Sequence, residues 1–160
     1  MRRILPALRP FFANSRGASV LELALVSPVF IIAILAVTDG SLWILSAMRV
    51  DEGARAGAQY AVAHSSFDST GISAAIAAAA PTSSAYLTAV TATPAPTQWC
   101  ACPNGAGQLT EVTCGVKCSS GLVAGKYVTV TSKATYTSIV NWPGRGASPV
   151  MTSSLSVRIQ

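Results

Sequence analysis

Arg16-Gly17-Ala18-Ser19-Val20-Leu21-Glu22, leading into the uncharged run 23–38, decides how this chain is built. A basic residue and a glycine stand directly before a long apolar segment, and a single carboxylate sits five residues past that glycine. An apolar span needs no acid for insertion, and a carboxylate near lipid is costly enough that it usually has a job. Residues 18–47 hold only Glu22 and Asp39 as charged groups. About 20 apolar residues cross a bilayer, so the stretch predicts one transmembrane helix. Pro28 removes one helical hydrogen bond, which membrane helices tolerate when neighbours or water satisfy the freed carbonyl. Trp43 falls near the far end of the span, where an indole suits the lipid–water boundary.

The chain has 160 residues, room for one membrane helix and one small outer domain. Arg2, Arg3, Arg9 and Arg16 all precede the apolar segment. By the positive-inside rule they hold the N-terminus in the cytoplasm. Beyond Gly17 seven basic side chains stand against six acidic ones, a net of +1. That argues against a nucleic-acid partner, which needs a basic face on the folded domain. An ordinary secretory signal carries its apolar core before the cut, and here that would mean cleavage near Ser46-Ala47-Met48. The stretch is longer than such a core, which favours retention of the helix.

The helical pattern continues past the membrane through 48–63. Asp51 and Arg55 are spaced i, i+4 with the acid first, the favourable order. Ala54, Gly57, Ala58 and Ala61 fall on one stripe of small side chains. Such a stripe lets another backbone approach closely, either the chain's own sheet or another subunit. Helix stripes most often serve the local core, so the first use is expected.

The stretch RGASVLELALVSPVFIIAILAV, followed by DEGARAGAQYAVAH, resembles the N-terminal region of TadE-like proteins. These are minor pilins (pseudopilins) of the tight-adherence (Tad/Flp) type IV pilus apparatus of bacteria. The resemblance covers residues 16–64 and rests most on Gly17, Glu22, Pro28 and the acidic-then-alanine/glycine/arginine segment. It implies cleavage between Gly17 and Ala18 by a prepilin peptidase. It also implies a role in assembling or priming an adhesive pilus, with other Tad pilins and pilus assembly proteins as partners. Family members usually place Phe- or Val-rich sequence after the cut, whereas Ala18 and Ser19 are milder. Glu22 becomes the fifth residue of the processed chain. Its carboxylate, one turn along, would neutralise the new α-amino group of Ala18, its own or a neighbour's. That pairing is stronger in low dielectric than in water and aligns subunits axially. The competing reading is that Glu22 merely complements the helix dipole at headgroup level; the placement of Gly17 favours the pilin role.

After His64 the composition turns to Ser, Thr, Ala and Gly. Residues 69–80 read as a short helix with a cap at its start and Pro81 at its end. Strand candidates follow at 86–93, 108–114, 126–136 and 150–159, the third being strongest in period-two alternation. The residues from Asn141 to Gly146 supply a turn before the last strand. The expected architecture is α+β and pilin-like: a long N-terminal transmembrane helix extends into a stalk that packs on a small antiparallel sheet with a disulfide-braced loop. The expected divisions are a basic prepilin leader at 1–17, a transmembrane helix at 18–47, its extension at 48–64, and a small periplasmic or extracellular domain at 65–160.

Cys100, Cys102, Cys114 and Cys118 cluster in that domain, outside the cytoplasmic membrane, where disulfides persist. Their spacing departs from the paired knuckles of common zinc sites. A Cys100–Cys102 bond would close a very small, strained ring. Two cross-loop connectivities remain, and the nested one (Cys100 with Cys118, Cys102 with Cys114) suits a hairpin. Spacing does not choose between them.

His64, the sole histidine, lies near Ser65, Ser66 and Asp68, but triads are recognised by geometry rather than by proximity in sequence. No phosphate loop, dinucleotide turn or paired metal-ligand motif is present, so neither an enzyme nor a cofactor is expected. Two other readings compete with the pilin. One is an uncleaved, membrane-anchored binding module presenting Trp99 and Trp142 on loops. The weaker is a membrane-tethered hydrolase using His64.

Overall fold

The computed structural model describes residues 18–80, 83–104, 108–144, 146 and 148–159. Gly17 and the rest of the expected leader lie outside the described residues. The order of elements is α1 (Ala18–His64), α2 (Ser69–Ala79), β1 (Thr91–Ala92), β2 (Thr97–Pro103), β3 (Leu109–Val112), β4 (Gly125–Thr135) and β5 (Val150–Arg158). The class is α+β, with a long apolar N-terminal helix and a small antiparallel sheet. The chain divides into two compact units, Met1–Gly40 and Ser41–Gln160.

In the first unit α1 runs unbroken through Pro28. Its side chains from 19 to 38 are exposed, Ser27 alone being half-buried. The most apolar 18-residue window of the helix has a mean hydropathy of 2.7, and none of it is buried. α1 is therefore long and apolar enough to cross a membrane, and it fits a single-pass anchor. The hydroxyl of Thr38 donates to the Ile34 carbonyl at 2.8 Å, and Ser27 donates more weakly to Ala24 at 3.4 Å. These bonds back onto the helix keep polar side chains satisfied without water.

The second unit is built around β4. β5 pairs along one side of it, from Tyr127↔Arg158 to Thr135↔Val150. β2 and β1 pair in succession along the other side, and β3 closes the far edge on β2. Every pairing is antiparallel. β4 alternates as the sequence predicts, burying Val128, Val130, Ala134 and the following Tyr136 on one face. Against that face pack Val50 and Ala61 of α1, and Ile72 and Ile76 of α2, all 1% exposed or less. Trp43 packs against this same cluster, half-buried.

The stripe of small residues on α1 serves the chain's own core. Ala54, Gly57, Ala58 and Ala61 are all buried. A Cβ at Gly57 would lie 2.8 Å from side-chain carbons of both Ile76 and Val130, so only glycine permits this approach.

Two strand readings need correction. The run 86–93 is not one strand, since only Thr91–Ala92 enters the ladder, while Leu87 bridges Tyr136 singly. Pro94 and Pro96 carry no N–H for a ladder, so the strand line along β4 breaks and resumes as β2. The segment Thr97–Pro103, expected to be loop, is a strand. It is poor in β-branched residues, and pairing with β4 overrides that weak local preference.

Candidate functional site

Ala18 and Glu22 lie one turn apart in α1, and the Glu22 side chain is exposed. Further along, two polar contacts tie the helix to the sheet. Ser132 of β4 donates its hydroxyl to the main-chain carbonyl of Val50 at 2.5 Å, in a fully buried position. Ser153 of β5 donates to Asp51 Oδ1 at 2.9 Å. The other oxygen of Asp51 accepts from Arg55 Nε at 2.8 Å, the i, i+4 pair expected from the sequence. The contribution of the two serines was not evident in the sequence. Its one trace was a hydroxyl at an inward position of an otherwise apolar alternation. Beyond these contacts an open apolar groove of about 390 Å³ runs between α1 and β5, flanked by Val62, Leu155 and Val157.

The junction between the helices is a second cluster. Asp68 caps α2, accepting from the amides of Thr70 and Gly71 at 3.1 and 3.0 Å. The Tyr60 hydroxyl donates to its other oxygen at 3.2 Å. The Gly71 amide holds the Asp68 carboxyl below the usual carboxylate range. Burial opposes this, while Tyr60, Thr70 and the charge of His64 assist it. Tyr60 is pushed up by desolvation first, then by its bond to Asp68 and the charge there. His64 stacks on Tyr60 with ring centroids 3.9 Å apart, and its Nδ1 lies 3.0 Å from the Tyr60 carbonyl. That carbonyl can only accept, so Nδ1 carries the proton. The arrangement is a helix end and a helix cap. Among the described residues no group of three or more His, Cys, Asp or Glu could hold a metal ion.

The four cysteines form two disulfides, Cys100–Cys114 and Cys102–Cys118, with Cα separations of 5.1 and 5.5 Å. The pairing is crossed, not nested. In the β2–β3 hairpin Cys100 lies opposite Val112 and Cys102 opposite Thr110. Cys114 therefore overshoots Cys100 by two residues. The chain then turns back through Gly115, whose φ of +89° favours glycine, and a bridge between Lys117 and Val123 carries Cys118 to Cys102. Cys100 and Cys102 sit on β2 while Cys114 and Cys118 follow β3, so the two bonds brace the expected loop against the sheet. Trp99 is also on β2, not on a loop. It stacks on Tyr127 across the strands at 5.0 Å and donates its indole N–H to Thr129 at 2.9 Å. Trp142 stays in the 141–146 loop, half-buried.

No curated protein and no solved structure matches the chain significantly. A family model does match, that of TadE-like protein, over residues 17–59. The matched segment runs from the glycine before α1, through the apolar span and Glu22, to the part of the helix docked on the sheet. Over residues 17–59 this chain is thus similar to TadE-like proteins, which is consistent with a Tad pilus-associated protein.

Proposed function

We propose that the chain is a minor pilin or pseudopilin, cut after Gly17 by a prepilin peptidase and acting in assembly or priming of a Tad/Flp pilus. The match to TadE-like protein over residues 17–59 carries this reading. The exposed apolar span of α1, within the expected 18–47, anchors it in the bacterial inner membrane, with the N-terminus cytoplasmic and the disulfide-bonded domain outside. The exposed apolar flank of α1 meets lipid first and neighbouring pilins on assembly. Since the small-residue stripe is occupied by the chain's own core, neighbouring pilins pack on the apolar span and on the groove beside Val62 and Leu155. Glu22 pairs with an α-amino group and sets the axial register.

The first experiment is the intact mass and N-terminal sequence of the protein extracted from its native membrane. A chain beginning at Ala18 supports the reading. A chain still beginning at Met1, in cells with an active prepilin peptidase, removes it and leaves an uncleaved anchored module.

A further inference from the structure

As the chain emerges, its cysteines appear in the order 100, 102, 114, 118, and the native bonds join first to third and second to fourth. We infer that this arm reaches its native pairing by disulfide exchange, and that a dithiol–disulfide isomerase is therefore a maturation partner of the chain. Whether Gly17 is processed does not enter this inference.

Chain entropy does not select the native set. Its bonds span separations of 14 and 16 residues, and the nested set replaces these with one slightly shorter and one slightly longer loop. Closure cost grows only with the logarithm of loop length, so the two sets are nearly degenerate. Strand patterning does not select it either. Bringing Cys114 beside Cys102 needs the hairpin to slip by an even number of residues from Cys102↔Thr110. An even slip keeps every side chain on its own face, and only an odd one is penalised by inversion. β3 offers little resistance, because its four residues are exposed or half-buried.

What does select the crossed set is tertiary. Cys100 and Ala101 are 1% and 0% exposed once β2 pairs with β4 from Thr97↔Thr129 to Ala101↔Gly125. Until that docking fixes β2, the nested bonds form as readily, and they must afterwards be reopened.

The exchange balances without an oxidant. An isomerase thiolate attacks Cys102 Sγ of a Cys102–Cys114 bond, forming a mixed disulfide and releasing Cys114 as thiolate. Cys114 attacks Cys100 Sγ of the Cys100–Cys118 bond, forming the first native bond and freeing Cys118. Cys118 then displaces the isomerase from Cys102, forming the second native bond and regenerating the thiolate.

The test uses the full-length chain, reduced and unfolded, then returned to thiol-free detergent micelles. It is oxidised with diamide alone, or with diamide followed by reduced glutathione and protein disulfide isomerase. Bonds are mapped by tandem mass spectrometry. Diamide alone should give roughly equal native and nested sets, and the isomerase should convert most of the nested set to native. The double variant Cys100→Ser/Cys114→Ser retains one possible bond and should close Cys102–Cys118 equally well with or without isomerase. Near-complete native pairing under diamide alone overturns the inference. So does a nested fraction that the isomerase leaves unchanged.

Discussion

Ser132, at the middle of the central strand, donates its hydroxyl to the carbonyl of Val50 inside α1, across 82 residues of sequence. The bond sits where the helix meets the sheet, and both residues are 1% exposed or less. Removing a hydroxyl from such a site forfeits a net hydrogen bond while the Val50 carbonyl keeps its helical partner. Ser132→Ala should therefore cost about 1 kcal/mol, read as a lower midpoint in chemical denaturation of the outer unit. An unchanged midpoint would mean that apolar packing alone seats the helix.

Gly53 and Gly57 are one turn apart on α1 and should respond differently. Alanine gains about 1 kcal/mol over glycine in a helix interior. At Gly53 the nearest contact to an added Cβ is 3.1 Å, so that gain roughly offsets the crowding. At Gly57 the new atom would lie 2.8 Å from both Ile76 and Val130, and overpacking costs about 1–3 kcal/mol. Thermal melts should therefore place Gly57→Ala below wild type and Gly53→Ala close to it. The reverse order would refute the close approach at Gly57.

Asp68 makes stability depend on acid pH. Its folded carboxyl is held below the ordinary range, chiefly by the Gly71 amide, so the unfolded chain binds its proton more readily. The contribution is complete above the unfolded carboxylate pKa and is lost as pH falls through the folded value. Asp68→Asn retains a good N-cap and should flatten that acid limb; Asp68→Ala should lose the cap at every pH. Denaturation midpoints measured across the acid range for all three proteins decide this.

Removing the Cys100–Cys114 bond by paired serine substitution reopens a separation of 14 residues. The chain-entropy estimate for such a loop is about 3 kcal/mol. Limited proteolysis should then cut near 109–118 before it cuts β4. Equal resistance with and without the bond would show that β2–β3 pairing alone holds the arm.

Glu22→Gln keeps the side chain's size and removes its charge. The span stays apolar enough to insert, so the chain should reach the membrane in normal amount, while pilus yield in sheared fractions falls. Normal piliation would take subunit alignment away from Glu22.

The anchor was legible in the sequence because a membrane span is written locally, as an unbroken apolar run with its charges at one end. Asp51–Arg55 and β4 were legible for the same reason, one through helical spacing and the other through period-two alternation. β2 was not, since Thr97–Pro103 has little intrinsic preference and becomes a strand only by pairing with residues 125–129 of β4. The destination of the small-residue stripe was likewise an expectation until Ile76 and Val130 were seen against Gly57. So the sequence by itself determined the apolar helix, its charge asymmetry and the central strand, each carried by neighbouring residues. The tertiary structure alone decided the crossed disulfides and the seat of α1 on Ser132. The disulfides and the Ser132 contact join groups whose meeting depends on long-range register, which no local periodicity encodes, whereas the Asp68 cap is local and a cap there was expected from the sequence.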